Sequence, residues 1–173
     1  TRFDKLDQIR LISIFKKYSK RLLNKLIYSY KLVAKIKLQW LCTSILNMLS
    51  LSIKNPPILN ARPKKCEFVV GINSKKLSLT SVPLLIGEDL LYFGGIVDRI
   101  DESKDEIVVV DYKMASGSAI KSALSEKNIL KYHFQIPVYL LLIKKHLLTC
   151  KMKKLGGYFI SIKDGLATPV LGI

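Results

Sequence analysis

The stretch GGIVDRIDESKDEIVVVDYK, residues 94–113, constrains the fold more than any other part of the chain. Two runs rich in Ile and Val flank the polar segment DESKDE, the pattern of two strands joined by a tight connection. A turn centred on Lys104 and Asp105 sets Asp98 directly opposite Asp111. Opposed residues share a face, with Cβ atoms roughly 5 Å apart. Lys113, two positions after Asp111, points to that face as well, while Val108, Val110 and Tyr112 point to the other. A slip of one residue would reverse every one of these assignments. Two facing carboxylates repel at a cost of about 1 kcal/mol. A hard divalent cation offsets that cost by taking carboxylate oxygens together with water and phosphate. Solvation of an exposed hairpin, with Lys113 as ion-pair partner, offsets it too. Pattern alone leaves both readings open.

With 173 residues the chain is long enough for one domain with a sizeable core. It begins with Thr rather than Met, as expected of a piece of a longer protein. A hydrophobic share of 49% excludes a disordered chain. The net charge of +16 is unevenly spread: residues 1–66 hold 15 Lys/Arg against 2 acids, the remainder 14 against 11. A basic lobe beside a nearly neutral one suits a polyanionic partner. Lys nevertheless outnumbers Arg 24 to 5, which an AT-rich genome produces without selection for binding. Cys42, Cys66 and Cys150 form no CxxC, so neither a zinc site nor a disulfide framework is indicated, and a cytoplasmic location is expected. The longest uncharged run, residues 38–53, has 16 residues, short of the ~20 that span a bilayer. It reads as a buried helix. A basic amphipathic membrane-surface protein, resting on residues 11–53 and testable by sedimentation with anionic liposomes, is a further reading, but it leaves the motifs described below unexplained, and no membrane partner is expected.

Residues 3–53 contain no Pro or Gly and space their apolar residues for one or two long helices. Lys16, Lys17, Lys20, Lys25, Lys31, Lys35 and Lys37 would line solvent or nucleic acid. Pro56, Pro57 and Pro63 end the helical region. Residues 66–72 read as a strand, and residues 75–91 as a second strand or a loop turning at Gly87. After the hairpin come a loop at 114–119, a helix over 120–148 kinked or restarted at Pro137, and a final strand over 156–162. Helices on both sides of a run of strands predict an α/β sheet with helices packed on it. The expected division is a basic helical segment, 1–55, packing on a core, 56–173, as one domain.

GGIVDRID, then VVVDYK, then FQIPVYLL, in that order, resemble the nuclease domain of the RecB/AddB type in the PD-(D/E)xK superfamily. ARPKKCEF resembles the segment that precedes the hairpin in that family, and the likeness covers about residues 38–165. It implies a restriction-endonuclease-like core with a central mixed sheet flanked by helices. It also implies that Asp98 and Asp111 ligate Mg²⁺ or Mn²⁺, with the carbonyl of Tyr112 and the Glu67 carboxylate as further candidates. Lys113 would orient or activate the attacking water. Gln135 and Tyr139, one helical turn apart, would contact DNA or brace the metal ligands. Arg99 should point away and pair with Asp101. His133 and His146 read as surface or packing residues.

The resemblance further implies DNA as substrate and a helicase subunit or domain as partner, in double-strand break repair. The chain has no G-x-x-x-x-G-K-[ST], so no ATPase motor is expected within it. Many relatives carry a His or Glu ahead of the first strand as a metal ligand, yet residues 1–66 contain neither. That departure keeps a second reading alive, a catalytically silent DNA-binding or scaffolding module. Some relatives hold an iron–sulfur cluster with one Cys before the core and three after it, a pattern these three Cys do not support.

Overall fold

The computed structural model describes residues 5–54, 61–70, 83–124, 134–147 and 153–172. Five strands, β1 (Arg62–Val70), β4 (Gly95–Glu102), β5 (Glu106–Lys113), β6 (Lys154–Ser161) and β7 (Ala167–Gly172), form one mixed sheet in the order β1-β4-β5-β6-β7. All neighbours are antiparallel except β5 and β6, which run parallel. A separate hairpin, β2 (Pro83–Ile86) and β3 (Asp89–Tyr92), turns at Gly87, whose φ of 63° suits a residue without a Cβ.

Helices cover both faces. α1 (Lys5–Asn24) and α2 (Tyr28–Lys54) form a helical hairpin ahead of the sheet. α3 (Gly117–Ala123) and α4 (Gln135–Leu147) lie in the crossover between β5 and β6. The parity expected of β5 is realised. Ile107 and Val109 join Ile120, Ile136, Tyr139, Leu140 and Ile143 in the larger core beneath α3 and α4. Val108 and Val110 join Met48 and Ile160 in a second core beneath α2. Both faces of the sheet are therefore apolar, which is why β5 is a nearly unbroken β-branched run. The face bearing Asp111 is not a polar one, contrary to expectation: its outer end is polar and its middle is core.

Several sequence expectations need correction. Two strands were missed. β7 follows β6, so residues 156–162 are not the final strand, and the ambiguous segment before the hairpin holds both β2 and β3. The expected loop at 114–119 contains the start of α3, capped by Ser116 Oγ accepting from the Ala119 N–H. Of the two readings of Pro137, a restart rather than a kink is found: α4 is a separate helix that begins at Gln135. Pro137 sits in the first turn, where a missing N–H costs no helical bond. The run at 38–53 belongs to a helix of 27 residues, and only Ser44 and Met48 of that helix are buried. By length and composition α2 could cross a membrane; its C-terminal half instead packs on the sheet through Met48 and Leu49. His133 and Cys150 lie outside the described residues, as does the side chain of His146.

α4 approaches the sheet closely because β6 carries glycines at positions 156 and 157. A Cβ on Gly157 would stand 2.2 Å from Ile136 Cγ2. A Cβ on Gly95 would stand 2.7 Å from the Tyr139 hydroxyl. These glycines let helix and strands meet, and so set the depth at which Gln135 and Tyr139 lie over the sheet.

Candidate active site at the β4–β5 end of the sheet

The β4–β5 ladder has the expected register, Arg99↔Val110 through Glu102↔Ile107. One step past its last rung stand Asp98 and Asp111. Here the ladder gives way to a side chain: Asp98 Oδ2 accepts a 2.9 Å hydrogen bond from the Tyr112 N–H. A carboxylate thus replaces the strand's own carbonyl as acceptor, and Asp98 is fixed beside β5 by its backbone.

Asp111 is buried at 3% exposure. Its Oδ2 lies 2.6 Å from Lys113 Nζ but accepts no well-aligned hydrogen bond. Burial pushes the Asp111 pKa up. The Lys113 ammonium opposes that shift and the Asp98 charge reinforces it. The same end of the sheet therefore gathers two carboxylates, one of them deeply buried.

Three groups position Lys113. Besides Asp111, Gln135 Oε1 accepts from its Nζ at 3.1 Å. The Phe159 ring, on the β6 residue registered with Asp111, lies 4.9 Å from the ammonium. Gln135 is held in turn: its Nε2 donates to the Tyr139 hydroxyl at 3.4 Å, and that hydroxyl donates to the Ile96 carbonyl at 2.9 Å. A continuous chain of contacts thus runs from Asp111 through Lys113, Gln135 and Tyr139 back to β4, two residues before Asp98. Phe159 went unnoticed in the sequence, whereas Gly95 belongs to the GGIVDRID motif that carries the resemblance. The parallel β5–β6 pairing that brings Phe159 alongside has no local signal.

Glu67 lies on the edge strand β1, between the rungs Cys66↔Arg99 and Phe68↔Val97, so it stands across from Asp98. It is exposed, with φ at +48°, an unusual conformation for a residue with a side chain. Such backbone costs of order 1 kcal/mol or more and concentrates at functional sites. Among the described residues, no three His, Cys, Asp or Glu side chains cluster closely enough to hold a metal ion.

Arg99 points away from this end, as its parity requires. It pairs with Asp101 through Nε–Oδ1 and Nη2–Oδ2 contacts of 2.8 Å and donates from Nη1 to the Tyr112 hydroxyl at 2.6 Å. Burial raises the Tyr112 pKa against the opposing Arg99 charge, so the phenol stays protonated. The Tyr112 ring is thereby anchored on one face of the sheet while its backbone N–H serves Asp98 at the sheet's end. Among the described cysteines, Cys42 and Cys66 are free.

A family model described as the PD-(D/E)XK nuclease superfamily matches residues 13–169, most of the chain. A search of curated proteins found no match.

Proposed function

The chain belongs to the PD-(D/E)XK nuclease superfamily, and from that premise we propose that it is a metal-dependent deoxyribonuclease domain working at Asp98, Asp111 and Lys113. The five-stranded mixed sheet flanked by helices is consistent with the restriction-endonuclease-like fold of that superfamily, whose members are typically nucleases using divalent ions such as Mg²⁺ or Mn²⁺. The observation that carries the assignment is the Asp111–Lys113–Gln135–Tyr139 chain closing on the strand of Asp98.

The residues suit a hard cation. Asp98 and Asp111 offer carboxylate oxygens side by side, and Asp111 Oδ2 is buried without a well-aligned donor. Asp98 and Asp111 would hold the ion, with the Tyr112 carbonyl as a further donor, whereas Glu67 does not cluster with the two aspartates. When bound, such an ion lowers the pKa of a coordinated water and polarises a phosphoryl oxygen. The chain's own residues do the rest. Lys113 presents its ammonium to the charge that builds on the scissile phosphate. Gln135 keeps that ammonium from collapsing wholly onto Asp111. Tyr139 keeps Gln135 in place and so acts as a positioning residue. The RecB/AddB-type motifs favour a nuclease that acts with a helicase subunit or domain in double-strand break repair; the number and spacing of the cysteines favour a cytoplasmic location and do not support an iron–sulfur cluster, and no membrane partner is proposed. The motifs also favour a single domain in which the helical segment 1–55 packs on the core 56–173.

The test is Mg²⁺-dependent degradation of linear DNA by the purified protein, with EDTA as control. Asp98→Ala and Asp111→Ala are each expected to remove cleavage while leaving DNA affinity nearly unchanged, because phosphate binding is spread over many lysines. Cleavage that persists in both variants would refute the site. Tight DNA binding without cleavage by the unmutated protein and its partner complex would favour the silent module, the reading suggested by the absence of His and Glu from residues 1–66.

A further inference from the structure

Helices α1 and α2 expose apolar side chains that the fold does not use. On α2, Leu32, Val33, Ile36 and Trp40 recur at three- and four-residue spacing and are 69%, 53%, 58% and 47% exposed. They form one stripe. Lys35 and Lys37, each one residue from Ile36, lie about 100° to either side of it and so edge the stripe with positive charge. Beside the stripe, the two helices leave a groove of about 370 Å³. Ile12, Phe15, Leu23 and Leu38 give it apolar walls, and Lys16, Lys20 and Lys35 also line it.

We propose that this face of the α1–α2 hairpin docks an acidic amphipathic helix of a partner protein, with apolar side chains of the partner filling the stripe and groove and its carboxylates meeting the flanking lysines. The charge decides the partner's sign. Residues 5–54 carry 11 Lys/Arg and one acid, Asp7, a net of 11 − 1 = +10. A second copy of the chain would bring the same charge to the contact, so like charges oppose self-association there. Duplex DNA satisfies the lysines but leaves Leu32, Ile36 and Trp40 in water. An anionic bilayer satisfies both chemistries, but its flat surface does not enter a concave groove. A helix with apolar knobs and acidic edges satisfies charge, hydrophobicity and shape together. α2 reaches the sheet through Met48, on the face opposite α4. The docked partner therefore sits away from Lys113 and Gln135, and its binding does not depend on the nuclease assignment.

Trp40 is the chain's one tryptophan, so its fluorescence reports the stripe directly. The probe is a synthetic helix of about 20 residues with Leu on one face and Glu elsewhere, compared with a scrambled peptide of equal composition. The patterned peptide is expected to give a saturable blue shift of Trp40 emission; the scrambled one is not. Ile36→Glu should abolish the shift, and Lys35→Glu with Lys37→Glu should weaken binding at least tenfold, recovered by a peptide with Lys in place of Glu. All three positions are exposed, so unchanged far-ultraviolet dichroism is expected. An equal response to the scrambled peptide would overturn the proposal, as would a failure to respond to either. A shift with phosphatidylglycerol vesicles but not with the patterned peptide would reassign the face to lipid. A shift that grows with protein concentration alone would reassign it to a second copy. Displacement of the peptide by a short duplex at physiological salt would reassign it to DNA.

Discussion

Gly157→Ala tests how the fold sets the depth of the site. The added Cβ would stand 2.2 Å from Ile136 Cγ2, and Ile136 is fully buried under α4. Carbon atoms rest about 3.5–4.0 Å apart, so α4 has to retreat by roughly 1 Å or more. Overpacking of this kind costs about 1–3 kcal/mol. For a chain of 173 residues that lowers Tm by roughly 2–12 °C. The retreat carries Gln135 and Tyr139 with it, one residue before Ile136 and three after. Displacing a positioning group by about 1 Å costs on the order of 10²-fold in rate, so cleavage should fall by more than the lost stability explains. The decisive assay is a double-mutant cycle read by urea denaturation. Ile136→Ala alone leaves a cavity costing about 2–5 kcal/mol. In the double variant the methyl added at position 157 enters that space, and the combined cost should fall short of the sum by about 1 kcal/mol or more. Additive costs, or a Gly157→Ala protein as stable and active as the parent, would refute the close packing of α4 on β6 as what sets the site's depth.

Burial raises the Asp111 pKa above its unfolded value, with Lys113 opposing and Asp98 reinforcing. The folded state therefore binds this proton more tightly; the resulting penalty is absent below the unfolded pKa and complete above the folded one. In EDTA, Asp111→Asn is expected to raise the urea midpoint at about pH 7 and to leave it unchanged near about pH 3, and with Mg²⁺ supplied its cleavage is expected to be lost; a lower midpoint at neutral pH would contradict the sign. Tyr139→Phe removes the bond to the Ile96 carbonyl and should cost about 1 kcal/mol, with a slower cleavage step at unchanged DNA affinity. Gln135→Ala should leave stability unchanged, since Gln135 is exposed, yet reduce kcat by freeing Lys113; equal kcat would show that Gln135 does not position the ammonium. Asp101→Ala leaves the half-buried Arg99 guanidinium without its carboxylate and should destabilise by about 3–5 kcal/mol, with the rate per folded molecule unchanged because the pair lies on the other face of the sheet.

The β4–β5 hairpin was legible because its signal is local: β-branched residues on both sides of a polar turn fix register, and register fixes which residues face each other. The pairing of Arg99 with Asp101 followed from the same alternation. β7 was hidden by Pro169, which reads against a strand but is tolerated beside a register shift on the sheet's outer strand. α3 was hidden because its start is stabilised from afar, by Asp164 Oδ2 accepting from the Gly117 N–H at 2.8 Å. The run at 38–53 looked like core because composition reports hydrophobicity, whereas burial depends on what packs against it. The Lys113–Gln135 contact depends on a crossover that no window of sequence contains.

That crossover also orders the assembly of the site in time. β4 and β5 are joined by residues 103–105, whereas β5 and its parallel neighbour β6 are separated by residues 114–153. Loop closure grows with the logarithm of length, so bringing β6 alongside costs about 2 kcal/mol more chain entropy than closing the hairpin. Local contacts form first on such a chain. Asp98, Asp111 and Lys113 therefore come together with the hairpin, while Gln135, Tyr139 and Phe159 arrive only once α4 and β6 have docked. During synthesis the carboxylate half of the candidate site exists before the half that positions its lysine. A chain interrupted between the two would hold carboxylates poised for a cation with Lys113 free to fold back on them, a nascent site kept idle until the last strands close.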